Sequence, residues 1–418
     1  MLGLFVLPIV LRLLLLPFHG VPTPTGGDDF SFLLQADTFT HFRLTNPVHP
    51  LHRFFETDFI LQEPSYSSIY PPGQGLFLAL GQVLTGLPWA GVLLACGLTS
   101  ALTYWALRAR FTEQWATIGG LLTVVLLGPL CSWTNSYWGG HVAAIAGCLI
   151  FGSIARPASS RMALLIGVGF GLAAMTRPFE AVLLLGLAPL RVPRDKWAMV
   201  VAAVLPFLLF IGLHNRAVTG SWSKLPYLES REQYGVPTTF TFQSSPTPQR
   251  ELTREQRMDY QAQTLIHDAA GNFFERLWSR LSAYRFFFLM PLLPALLWCR
   301  DWRMWLPAIL LALGTNIYPY FYPHYLALLV PLYIGMTTTG LANAPRKLSL
   351  VMLALGFGQF VFWYGVHLLH DPDLLTKLER SEAPNFIGWG DAEGRRAVRE
   401  KLEQDAKADL GKYAIDGA

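Results

Sequence analysis

Gly26-Gly27-Asp28-Asp29-Phe30 opens, and Tyr70-Pro71-Pro72-Gly73-Gln74-Gly75 closes, a stretch that is polar, acidic and proline-rich inside a chain otherwise compatible with hydrocarbon. That contrast decides the fold. Of the 418 residues, 52% are hydrophobic and 14% charged, against about 25% charged in soluble domains, so the chain is read as an all-α polytopic membrane protein. Asp28 and Asp29 follow shortly after an apolar run, which puts them at the depth of the membrane-water interface, where a desolvated acid can act as a base.

On the N-terminal side, residues 2 to 18 form a first span interrupted by Arg12, a charge that is costly there unless it meets a partner or snorkels. The run lacks a basic leader and a small-residue cleavage site, so a retained span is expected. On the other side, residues 73 to 85 are apolar but shorter than the roughly 20 residues a crossing needs. Pro71-Pro72 should start a re-entrant or surface-lying helix there.

Apolar runs then recur at 88 to 107, 115 to 133, 139 to 155, 162 to 176, 179 to 190, 197 to 213, 284 to 299, 304 to 320, 325 to 341 and 348 to 368, giving about eleven spans in all. Arg108 and Arg110, Arg156 and Arg161, Arg191, Arg194 and Lys196, Arg300 and Arg303, and Arg346 and Lys347 fall in alternate connections, which the positive-inside rule assigns to the cytoplasm. Residues 19 to 75 and 214 to 283 then form two enlarged outer loops on a membrane domain of residues 1 to 370. The charged segment 371 to 418, opening Asp371-Pro372-Asp373, is expected as a helical tail on the same outer side.

A net charge of +4 spread through short loops is an orientation signal and points to no nucleic acid. Cys96, Cys131, Cys148 and Cys299 lie at different expected depths, so neither a disulfide framework nor a zinc site is predicted. In the second outer loop Thr253-Arg254-Glu255-Gln256 reads as a capping box, followed by helical spacing from Met258 to Ala269 and a stop at Gly271-Asn272. Residues 273 to 285 mix aromatics with Arg276, Arg280 and Arg285, as an interfacial segment does. Gly167, Gly169 and Gly171 read as close helix packing, since no strand precedes them.

Two neighbouring aspartates in a loop are often only solvated, but these have company. His41, Arg43, Asn46, His49, His52, Arg53 and Glu56 supply groups able to hold a phosphate or sugar hydroxyls. His49 and His52 lack a carboxylate at metal-site spacing, and no metal is expected. Asn135 to His141, Thr176 to Glu180 and Tyr318 to Tyr325 close three outer turns. Their aromatics also suit an interface belt, and Arg177 and Glu180 could pair with each other. His141, Arg177, His324 and Tyr325 nonetheless share the expected depth of the aspartates, where a lipid phosphate needs cations.

The acidic pair in the first outer loop, the Asp28 to Thr38 and Arg43 to Pro47 segments, and Tyr70 to Gly75 opening the next helix resemble the GT-C membrane glycosyltransferases. Within them the chain is similar to the protein O-mannosyltransferases and the aminoarabinose transferase of lipid A, and nearest to an uncharacterised bacterial branch. The resemblance implies transfer of a sugar from a polyprenyl-phosphate donor to a lipid, glycan or protein acceptor on the outer face of a bacterial inner membrane, with inversion. It makes Asp28 the general base, with no cofactor beyond the lipid-linked donor. Asp29 stands where the family usually has glutamate and is expected to orient the acceptor. Arg53 and Arg177 are expected at the donor phosphate, then His324, Arg43, His141 and Tyr325. A polyprenyl-lipid or solute transporter, or a non-catalytic envelope assembly factor, are the alternatives, and neither would need Asp28.

Overall fold

The computed structural model describes residues 1–369 apart from 25, 55, 58, 189–191, 237–239, 253 and 320, together with the side chains of 54, 254, 255, 258, 259 and 262. The expected tail, Arg191 and the Thr253 cap lie outside the described residues.

Helix α1 (Leu2–Leu14) leads to α2 (Gly27–Thr40), whose first turn holds Asp28 and Asp29, the favourable end of the helix dipole for a carboxylate. A small antiparallel pair, Ile60–Leu61 with Ser67–Ser68, then turns the chain back. Helix α3 (Pro72–Thr85) begins with Pro72 in its first turn and stops at Gly86, whose φ of 78° favours glycine. Its 14 residues span only about 20 Å at about 1.5 Å each, so it is the short helix its sequence suggested.

The bundle proper follows: α4 (Trp89–Leu107), α5 (Glu113–Leu127), α6 (His141–Ile154), α7 (Ser160–Ala174), α8 (Pro178–Leu185) and α9 (Trp197–Thr219). Helix α10 (Pro226–Tyr234) and α11 (Arg254–Asp268) belong to the second of the two large loops, and α12 (Phe273–Ala283) leads back to the bundle. Helices α13 (Trp302–Gly314), α14 (Val330–Asn343) and α15 (Arg346–Leu369) complete it. Helix α4 sits centrally, packed against α1, α3, α5, α6 and α14. Small residues let backbones approach: a Cβ on Gly91 would stand 1.9 Å from the Phe77 carbonyl oxygen of α3. Gly167 and Gly171 face α9 and Gly169 faces α6, the close packing expected of them.

Among the described residues four helical segments are long and apolar enough to cross a membrane, within Trp89–Leu107, Arg194–Thr219, Pro323–Asn343 and Arg346–Leu369. Four shorter apolar helices, α1, α5, α6 and α7, stand beside them. The chain is an integral membrane protein. Two of the expected spans are different objects. Among the described residues the run at 179 to 190 holds the eight-residue α8, and the run at 284 to 299 is broken: Met290–Trp298 turns 104° from Phe273–Phe287. Pro291 and Pro294 in that second piece cannot donate backbone bonds and hold it in a tight 3-10 form.

Arg12 finds partners and does not reach the headgroups. It is 1% exposed, donates to Asn135 Oδ1 at 2.7 Å and to the His19 and Gly20 carbonyls, and lies over the Trp89 ring. A buried cation without these acceptors would cost several kcal/mol, so Arg12 ties α1 to the 131–140 turn.

Candidate active site

Helix geometry separates the two aspartates. Consecutive residues on a helix point in different directions, and Asp29 turns inward, 2% exposed, with Oδ1 accepting the Tyr137 N–H at 2.9 Å. Asp28 turns toward Tyr70. The same 131–140 turn is held a second time by Gln74, which donates to the Tyr137 carbonyl at 2.7 Å. Phe32, Ala36, Leu78, Trp89 and Tyr137 form the apolar base under this junction of α2, α3 and α4.

Asp28 is half-buried and accepts a hydrogen bond from the Tyr70 phenol. Burial raises its carboxyl above the usual range; the Tyr70 bond opposes this, the Asp29 charge adds to it, and the Arg177 charge opposes it. Tyr70 itself is locked in place. Its ring stacks on Phe32 at 4.5 Å between centroids and its carbonyl accepts from Gln35 Nε2 at 2.9 Å. Burial, then the Asp28 charge, push the phenol well above its ordinary value, so it stays a donor.

The sequence-distant wall comes from two more turns. Gly73 donates its N–H to the Met175 carbonyl at 2.7 Å, and a Cβ there would stand 2.6 Å from Thr176 Cγ2, so only glycine lets the α3 start approach the Thr176-Arg177 turn. Arg177 then caps α8, with its guanidinium 4.5 Å over the Tyr325 ring. Among the described residues it makes no ion pair within 4 Å; Glu180, expected as a possible partner, is buried and feels the Arg177 charge, which opposes the upward effect of burial on its carboxyl, without a direct bond. His324 packs edge-on to Trp138 at 4.8 Å and against Tyr325 at 4.8 Å, with its Nδ1 buried and lacking a hydrogen-bond partner among the described residues. Asp28, Arg177, His324 and Tyr325 thus converge, from three separate parts of the chain.

The other expected donor-binding residues are placed elsewhere. Arg43 is exposed beyond the far end of α2, about 20 Å along the helix from Asp28 at about 1.5 Å per residue. Arg53 bonds the Glu251 carbonyl at 3.0 Å and approaches Glu56, which also takes Arg250 and Gln256, so this cluster clamps the two outer loops together. His141 is 2% exposed beneath the site, its Nε2 2.9 Å from Thr134 Oγ1 and its ring edge-on to Trp133. A core packing position leaves it no path to a phosphate. His52 sits between Glu56 and Glu63. Tyr70 and Trp138 are the residues whose side-chain roles the sequence reading missed; the place of Tyr70 beside Pro71-Pro72 was the only local signal.

The fold and this geometry together define a class, the GT-C membrane fold with an acidic first outer helix. A solved structure with a similar fold is that of ArnT from Cupriavidus metallidurans. The crystal structure of ArnT bound to undecaprenyl phosphate is 13% identical in sequence, with a TM-score of 0.51, covering 93% of this chain and 74% of that one. The apo crystal structure of the same protein is 14% identical with a TM-score of 0.48, covering 93% and 73%. No protein-family signature matches the sequence, and no curated protein matches it.

Proposed function

We propose that this protein is a glycosyltransferase that moves a sugar from a polyprenyl-phosphate donor to an acceptor at the outer membrane face, with inversion and with Asp28 as general base. One observation carries it: a half-buried carboxylate with a raised pKa, bonded by the Tyr70 phenol, lies within the field of Arg177, a cation that stands over the Tyr325 ring with no ion pair within 4 Å among the described residues. The raised pKa brings the base nearer to neutral pH, where a general base is most effective.

In this scheme the acceptor hydroxyl or amine gives its proton to the Asp28 carboxylate as its heteroatom attacks the anomeric carbon. The bond from that carbon to the phosphate oxygen breaks on the opposite face. Charge then develops on the departing polyprenyl phosphate, and Arg177 stabilises it more strongly in the transition state than in the ground state. Tyr325 and Trp138 supply aromatic surface for a sugar ring, and His324, packed against both, holds them in place. The likeness to ArnT supports the fold, and the undecaprenyl phosphate in that crystal structure supports the donor class.

The test uses the purified chain in proteoliposomes with labelled polyprenyl-phosphate sugars. Asp28→Asn should retain donor and lose about a hundredfold to ten-thousandfold in transfer, whereas Arg177→Ala should weaken donor use. Transfer by folded Asp28→Asn at the wild-type rate would remove the general base and return the transporter and assembly-factor alternatives.

A further inference from the structure

The opposite end of the bundle carries a cavity that the proposed reaction does not use. It has a volume of about 290 Å³ and lies between the ends of α4 and α6 and the start of α13, reaching Pro331 and Leu332 in the first turn of α14. Leu107, Phe151, Ile154, Met304 and Leu306 make its walls apolar. Among the described residues two charged side chains line it, and both are arginines: Arg110 and Arg303.

The charges around the mouth are unbalanced. Arg110 donates to Asp301 Oδ2 at 2.7 Å, while Arg303, exposed at the start of α13, has no carboxylate within 4 Å among the described residues. Arg108 adds a third positive charge, held on the carbonyl of Phe111, itself a lining residue, at 2.7 Å. Away from the two arginines the walls are almost entirely apolar, so a polar headgroup buried among them would be costly. A hydrocarbon segment suits walls of this composition.

From this we infer that the cavity takes one acyl chain of an anionic phospholipid, with the lipid phosphate on Arg110 and Arg303. A chain moving from bilayer to cavity gains no hydrophobic transfer energy, because lipid tails are as apolar as the walls. Selectivity therefore resides in the headgroup. Arginine offers a phosphate paired N–H donors, and basic residues near a membrane surface attract anionic lipid.

Native mass spectrometry of the full chain tests this, released from micelles holding phosphatidylglycerol and phosphatidylcholine with the same chains in equal amounts. One phosphatidylglycerol per chain should be retained, in excess over phosphatidylcholine by about tenfold or more. Arg110→Gln with Arg303→Gln should reduce that ratio to near one, and Ala155→Phe, which fills the cavity, should lose both lipids. Arg303→Gln alone keeps the Arg110 to Asp301 ion pair and should still lower the ratio severalfold, so the test survives misfolding of the double variant. Excess inorganic phosphate should leave the bound lipid in place. Equal retention of the two lipids by the wild type, an unchanged ratio in folded Arg303→Gln, or displacement by phosphate alone would overturn the inference.

Discussion

Replacing Tyr70 by Phe removes one hydroxyl and leaves the rest of the residue in place. The ring still stacks on Phe32, at 4.5 Å and 18°, and the backbone carbonyl still accepts from Gln35. Only the bond to Asp28 is lost. Because it favours the ionised carboxylate, its loss moves the already raised Asp28 pKa further up. A hydrogen bond to a charged group is worth about 1.5–3 kcal/mol. At about 1.4 kcal/mol per factor of ten, that is roughly ten- to 150-fold in the ratio of ionised to protonated Asp28. Transfer measured in proteoliposomes across the pH range in which the protein stays folded should show the acid limb displaced to higher pH. At a fixed pH on that limb the rate falls by that ratio, while the alkaline plateau stays within a few fold of wild type. An unmoved limb, or a loss of the same size at every pH, would refute the assignment of Asp28 as the proton acceptor tuned by Tyr70.

Asp28→Asn should melt at the same or a higher temperature than wild type near neutral pH. The folded pKa is raised, so ionised Asp28 costs stability once pH rises past the unfolded value, and the two proteins should converge at low pH. Asp29→Ala strands the buried Tyr137 N–H and should cost about 1–3 kcal/mol of stability, whereas Asp29→Asn keeps an acceptor oxygen and should recover most of it. Recovery in melting but none in transfer would give Asp29 a role in the chemistry as well. Gly73→Ala forces a Cβ to 2.6 Å from Thr176 and should cost about 1–3 kcal/mol by overpacking. Wild-type donor use by that variant would mean that the position of Arg177 is not set by the α3 start.

The class of the protein was legible early because hydrocarbon demands apolar residues in long runs, and a polar stretch such as 26 to 75 stands out against them. The start of α3 was legible for a local reason as well: proline fits a first helical turn and little else nearby. Breaks within apolar runs were not. Residues 284 to 299 are as hydrophobic as a straight span, and the 104° turn there comes from prolines and neighbouring helices together.

The candidate site divides in the same way. Asp28 could be singled out by its charge and depth, and Arg177, His324 and Tyr325 by their outer turns. Which of the loop cations would join them could not be seen, because Arg43, Arg53, His141 and Arg177 are the same kinds of side chain at similar expected depth. The stiffness of α2 carries Arg43 away, Glu56 and the Glu251 carbonyl draw Arg53 into a loop clamp, and core packing takes His141. Sequence by itself determined a membrane-embedded helical chain with an acidic outer helix, since composition and charge act locally. Only the tertiary structure decided that Asp28 faces Arg177 while Asp29 braces Tyr137, because that choice depends on how far apart in the chain two backbones are allowed to touch, at Gly73 and Met175.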